Sequence, residues 1–141
     1  MPLKSILLTA AFLLPSGLAG AEPYTLLVFE NATERAKRVD TGEVGAAYWD
    51  GYAAFAAEAQ SAGILRGGTV LHADEKTLSL SLQDGNSRRA EAMDANAPLK
   101  LGGFFKIDVA SEDEALAWAA KLPAARSGRI EIRADYPAPR M

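Results

Sequence analysis

The chain has no cysteine, which excludes a disulfide framework, a thiolate nucleophile and any cysteine-based metal site. Histidine is almost missing as well, since His72 is the only one. Any metal would therefore rest on carboxylates, and no D-x-D-x-D-G loop offers them. No glycine-rich loop leads from a strand into a helix, so no backbone cradle for phosphate is present. No G-x-S-x-G elbow is present either. Basic residues form no stripe: 15 Lys and Arg are interspersed with 18 Asp and Glu, for a formal charge of −3, which argues against nucleic-acid binding. The expectation is a protein without metal or cofactor.

Long hydrophobic runs are lacking too. The longest apolar stretch, residues 6–14, is too short to span a bilayer as a stable helix. Its context gives it another meaning. Lys4 precedes it, and Ala19-Gly20-Ala21 follows as the small-residue pattern that signal peptidase accepts. Residues 1–21 read as a cleaved secretory signal, leaving 22–141 as one domain in the periplasm or outside the cell, with no stable membrane insertion once the signal is removed. Removing Lys4 leaves 15 − 1 = 14 basic against 18 acidic residues. A chain of 141 residues buries roughly two-thirds of its unfolded surface, enough for a core without metal or disulfides.

The elements alternate. YTLLVFE (24–30) is an apolar strand. Residues 31–42 are polar and without period, a loop with at most a short helical turn. Residues 44–62 form a helix, with Val44, Tyr48, Phe55, Ala59 and Ala62 at helical spacing and Gly63 in the capping position. Residues 64–71 resume strand character, and Gly67-Gly68 inside it signals a bulge or close backbone approach. TLSLSL (77–82) alternates strictly and leads into Asp84-Gly85, a hairpin signal, with a return strand over 88–93. Phe105, Ile107 and Val109 share one face of the next strand; Phe104, Lys106 and Asp108 share the other. Ser111 and Glu114 have the spacing of a capping box before a helix that Pro123 ends. RIEIR (129–133) is the last strand.

This order predicts an α+β, ferredoxin-like split βαβ fold with an inserted β-hairpin and helices on one face of an antiparallel sheet. The other face, with Phe104, favours a homodimer.

The stretches YAAFAAEAQSAGILRGGTVL, TLSLSLQDG and LGGFFKIDVASEDEALAWAAKLPAARSGRIEIR resemble, in order and spacing, the YCII-related family, in particular its DGPF-type branch. The resemblance covers residues 24–133. It implies a dimeric α/β barrel built from ferredoxin-like subunits and an enzyme-like pocket. The branch's Asp-Gly-Pro-Phe run is here Asp94-Ala95-Asn96-Ala97, so only the Asp matches. The His that other members carry near the first helix has no counterpart, and the loop LPAARSGR lacks their Asp.

Two residues are candidates for catalysis. Asp94 holds the matching motif position, against the plainer role of a turn aspartate. His72 is the only side chain that titrates near neutrality when unperturbed, against that of an exposed strand end. Glu30, at the end of a buried strand, and Trp49 and Tyr52, on the aromatic face of the first long helix, are candidates for ligand binding. The residues leave three readings open. One is an exported domain that binds a small molecule and performs simple acid–base chemistry. The second is a non-catalytic dimeric binding or accessory protein. The third is a different dimeric barrel enzyme, such as a cofactor-free monooxygenase. A cavity holding both His72 and Asp94 would favour the first.

Overall fold

The computed structural model describes residues 20–72 and 76–139. Most of the predicted secretory signal lies outside the described residues. Strand β1 is Glu22–Glu30, and helix α1 (Ala32–Ala36) runs into a 3-10 turn at Lys37–Val39. Helix α2 (Glu43–Ser61) leads to β2 (Leu65–Val70). Strands β3 (Ser79–Gln83) and β4 (Asn86–Ala90) form a hairpin. Strand β5 (Lys100–Val109), α3 (Glu112–Ala119), α4 (Ala124–Ser127) and β6 (Arg129–Ala134) complete the chain.

The main sheet has the order β2-β5-β1-β6, with every neighbouring pair antiparallel. This is the ferredoxin-like α+β arrangement that the alternation of elements predicts. The hairpin β3–β4 stands apart as its own two-stranded sheet. Its turn is built as the Asp-Gly pair dictates: Asp84 and Gly85 both have positive φ, 50° and 77°.

Parity along the strands decides what is inside. In β1, Tyr24, Leu26, Val28 and Glu30 are buried, and the residues between them are exposed or partly exposed. Across the ladder, Leu26 faces Phe105 and Tyr24 faces Ile107, so both strands send the same face to the helices. Phe55 of α2 meets the rings of Phe105 and Trp118 at centroid distances of 4.8 and 6.1 Å. Ala59, Ala115, Ala119 and Leu122 fill the space around them. Leu26 is fully buried, and cutting such a leucine to alanine costs about 2–5 kcal/mol.

Helix α2 stops where a left-handed residue lets its last carbonyls be satisfied. Gly63 (φ 72°) donates to the Gln60 carbonyl at 2.9 Å, and Ile64 donates to that of Ala59 at 3.1 Å. This is the Schellman pairing, and it turns the chain straight into β2. Ser111 caps α3 by accepting from the Glu114 amide at 3.2 Å. The Glu114 carboxylate accepts from the Ala110 amide, one residue earlier than in the standard capping box.

The other face of the sheet carries Thr25, Leu27, Phe104 and Lys106, all partly exposed. Leu27 and Phe104 are directly opposite each other on β1 and β5. Polar groups frame them, with Arg66 paired to Asp108 at 2.7 Å and Lys106 to Asp135 at 2.5 Å. Among the described residues no helix is long and apolar enough to cross a membrane.

Candidate binding cavity

The inward parity of β1 drives Glu30 into the interior along with Leu26 and Val28, and it is 1% exposed. A carboxylate there demands charged and hydrogen-bonded partners, because desolvating it alone costs several kcal/mol. The segment after β1 supplies one of them. Asn31 caps α1 by accepting from the Glu34 amide at 2.9 Å, and its amide nitrogen donates to the Ser127 carbonyl at 2.9 Å. The helix thus held folds back through the 3-10 turn and delivers Arg38 to the end of the strand. Nη2 of Arg38 donates to Glu30 Oε1 and to the Gly102 carbonyl, both at 2.8 Å. Its Nη1 donates to the Leu71 carbonyl at 2.7 Å and its Nε to the Tyr48 hydroxyl at 3.0 Å. One guanidinium thus joins β1, β5, the chain just past β2, and α2.

Tyr48 closes the network from the helix. Its hydroxyl donates to the Glu30 carboxylate, 2.9 Å from Oε1 and 2.8 Å from Oε2, while accepting from Arg38. Its start-of-helix position is fixed by Asp40, whose Oδ1 accepts from the amides of Gly42 (2.9 Å) and Gly45 (3.0 Å). The fit needs a glycine at 102. A Cβ there would overlap the Arg38 guanidinium and stand 3.0 Å from Glu30 Oε1. This is the physical content of the Gly-Gly pair in LGGF.

A cavity of about 320 Å³ opens beside this network, between α2 and the β2–β5 side of the sheet. That is the lower end of the range for small-molecule pockets, about 300–1,000 Å³. Its polar end is Glu30, Arg38 and Tyr48. Trp49 and Tyr52 wall it from the helix, and Val28, Leu65 and Phe105 from the sheet. Trp49 stands edge-on to Tyr48 at 4.9 Å, and Tyr52 is tilted against Tyr48 at 5.2 Å. The Trp49 indole donates to the Arg38 carbonyl at 3.4 Å, which ties the rim to the turn.

Burial, and then the hydrogen bond to Glu30, push the Tyr48 phenol up to about 12. Burial, and then the nearby Glu30 charge, push Tyr52 up as well. Both are donors at neutral pH. Burial pulls the Arg38 guanidinium down, but the hydrogen bonds to Glu30 and Tyr48 and the charge of Glu30 outweigh it, so its pKa ends above its ordinary value.

Three sequence candidates, Glu30, Trp49 and Tyr52, therefore come together around one cavity. His72 and Asp94 do not line it. Asp94 Oδ2 accepts from the Leu101 amide at 3.0 Å, and its carbonyl accepts from the Ala97 amide at 2.9 Å, which makes it a turn residue ahead of β5. The His72 side chain is exposed beyond the end of β2, and its carbonyl accepts from Thr77 Oγ1 at 3.3 Å. Arg38, the hub of the site, escapes a reading by periodicity because it sits in a polar segment that has none. A buried strand-end carboxylate was the signal that such a cation must exist nearby. Among the described residues no group of three or more His, Asp and Glu is placed to hold a metal.

No curated protein matches the chain. The sequence profile of the YCII-related domain matches residues 27–137, a span that runs from within β1 to beyond β6 and takes in α1 to α4 and the cavity.

Proposed function

Since the chain belongs to the YCII-related domain family, which covers it from the middle of β1 to beyond β6, we propose that it is an exported, homodimeric domain that binds a small molecule in the cavity between α2 and the β2–β5 side of the sheet. The observation that carries this reading is the Glu30–Arg38–Tyr48 network. A largely buried ion pair is a poor way to gain stability, since apolar residues of the same volume do as well or better. Placed at the end of an otherwise apolar cavity, it is a good way to orient a ligand. Acid–base turnover is a second reading, favoured by that same buried carboxylate. His72 and Asp94 would have to act from outside the cavity walls, which makes binding the stronger reading for this geometry.

Export is supported by Lys4, the apolar run and Ala19-Gly20-Ala21, and by the start of β1 at Glu22, so that cleavage after Ala21 leaves the strand whole. Mass spectrometry of the mature protein should then find Glu22 first, and an intact Met1 would refute it. Dimerisation is supported by the partly exposed face around Leu27 and Phe104.

A thermal-shift screen of small organic molecules tests the binding. Hits should stabilise the wild type and lose their effect in Trp49→Ala and Tyr52→Ala. Hits that respond to His72→Ala or Asp94→Asn and ignore both aromatic changes would overturn it.

A further inference from the structure

Resting on that reading, we propose that the ligand is a neutral, ring-sized molecule with a hydroxyl or N–H group, which it donates to Oε2 of Glu30.

The charge of the ligand follows from how Arg38 is used. A guanidinium has five N–H donors in a fixed fork. Arg38 makes four hydrogen bonds to the protein, to Glu30 Oε1, Tyr48, Leu71 and Gly102. At most one N–H is left, so the paired fork that would bind a ligand carboxylate or phosphate is gone. Glu30 is in the opposite condition. A carboxylate accepts at roughly four lone-pair sites. Here Oε1 takes Arg38 and a share of the Tyr48 hydrogen, and Oε2 takes only the other share of that one hydrogen. The fully buried group that faces the cavity with capacity to spare is therefore an acceptor carrying negative charge. It welcomes a donor and repels an anion. Tyr52 is held protonated by burial and then by the charge of Glu30.

The shape follows from the walls. On the sheet side, Gly68, Gly102 and Gly103 bring bare backbone to the cavity. None of the three can be given a side chain freely, because a Cβ would stand 2.7 Å from the Phe104 carbonyl at Gly68, 2.7 Å from the Thr69 carbonyl at Gly103, and against Arg38 at Gly102. Tyr48, Trp49 and Tyr52 line the same cavity from α2, and Val28, Leu65 and Phe105 add apolar side chains on the sheet side. The Tyr48 ring is inclined at 87° to Trp49 and at 59° to Tyr52, so the helix side offers ring faces and edges together, which suit an apolar ring-sized body.

Three ring probes of similar size separate the possibilities: phenol, a neutral donor; anisole, neutral without a donor; and benzoate, an anion. Each is titrated into the full mature protein and followed through the backbone amide resonances of Gly68, Gly102 and Gly103. Phenol should shift these amides with an affinity at least about tenfold better than anisole, in line with one hydrogen bond to a charged acceptor, and benzoate should not shift them at pH 7. Equal binding of phenol and anisole would overturn the donor requirement and leave the binding cavity standing. Benzoate binding best would overturn the neutral class. Failure of all three to shift these glycines would overturn the cavity reading itself. The preference for phenol must persist in Tyr52→Phe; its loss there would move the hydrogen bond to Tyr52 and overturn the assignment to Glu30.

Discussion

The guanidinium of Arg38 lies 2.8 Å from the carboxylate of Glu30, with only 14% and 2% of the two side chains exposed. At this burial the pair is asymmetric in its consequences. Neutral replacement of both partners costs little, while removal of one leaves a bare charge inside. Arg38→Ala should lower stability by about 3–5 kcal/mol, and Glu30→Gln with Arg38→Met should recover most of it. Urea denaturation of the three proteins decides this. An Arg38→Ala loss below about 1 kcal/mol would mean that the pair behaves as a surface ion pair.

Gly102 and Gly67 give a contrast within one cavity. A Cβ at Gly102 meets Arg38 and Glu30, whereas at Gly67 it meets nothing within 4 Å. Gly102→Ala should cost about 1–3 kcal/mol, as overpacking does. Gly67→Ala should stay within about 0.5 kcal/mol. Equal effects would show that the turn carrying Arg38 yields easily, contrary to its four anchors.

Of the elements, those with local chemistry were legible. The helix at 44–62 lies at 43–61, with its glycine cap left-handed as Gly63 requires. The hairpin turned at Asp84-Gly85, and RIEIR became β6. Position at the end of an apolar strand also brought out Glu30, and the aromatic patch on the helix brought out Trp49 and Tyr52. Arg38 was not legible because its partners are distant in sequence. Gly102 is 64 residues away and Leu71 is 33, and no local pattern encodes such contacts. Asp94 looked like a motif residue for a related reason. Its side chain satisfies the Leu101 amide seven residues on, a bond that sequence alone cannot distinguish from a role in a pocket.

Alkaline titration reads the field of the cavity. The phenols of Tyr24, Tyr48 and Tyr52 are all raised in the folded chain, Tyr48 to about 12. The folded state thus holds protons that the unfolded state releases near pH 10. Stability should be complete below pH 10 and fall as pH rises from there through about 12. Absorbance at about 295 nm should show these tyrosines ionising late in buffer and near 10 in concentrated urea. Coincident curves would remove the raised values.

The open sheet face predicts an assembly. Leu27 lies on central β1, opposite Phe104 and next to Glu131 of β6. Light scattering at micromolar concentration should find a dimer, and Leu27→Lys should give a monomer with unchanged circular dichroism, since the side chain points away from the core. A monomeric wild type, or a dimeric Leu27→Lys, would place the interface elsewhere or nowhere.

Strand β1 is hydrogen-bonded to β5 on one side and β6 on the other, so the first strand to be synthesised is completed by the last two. Leu26 waits for Phe105 and then for Ile132. Synthesis at about 5–20 residues per second leaves the N-terminal half without its sheet partners for several seconds. Closing such long chain segments is slow compared with forming local contacts. The segment from β1 onward therefore stays without its native sheet until β6 has been made. A holding chaperone has that whole interval in which to meet this segment before its sheet closes.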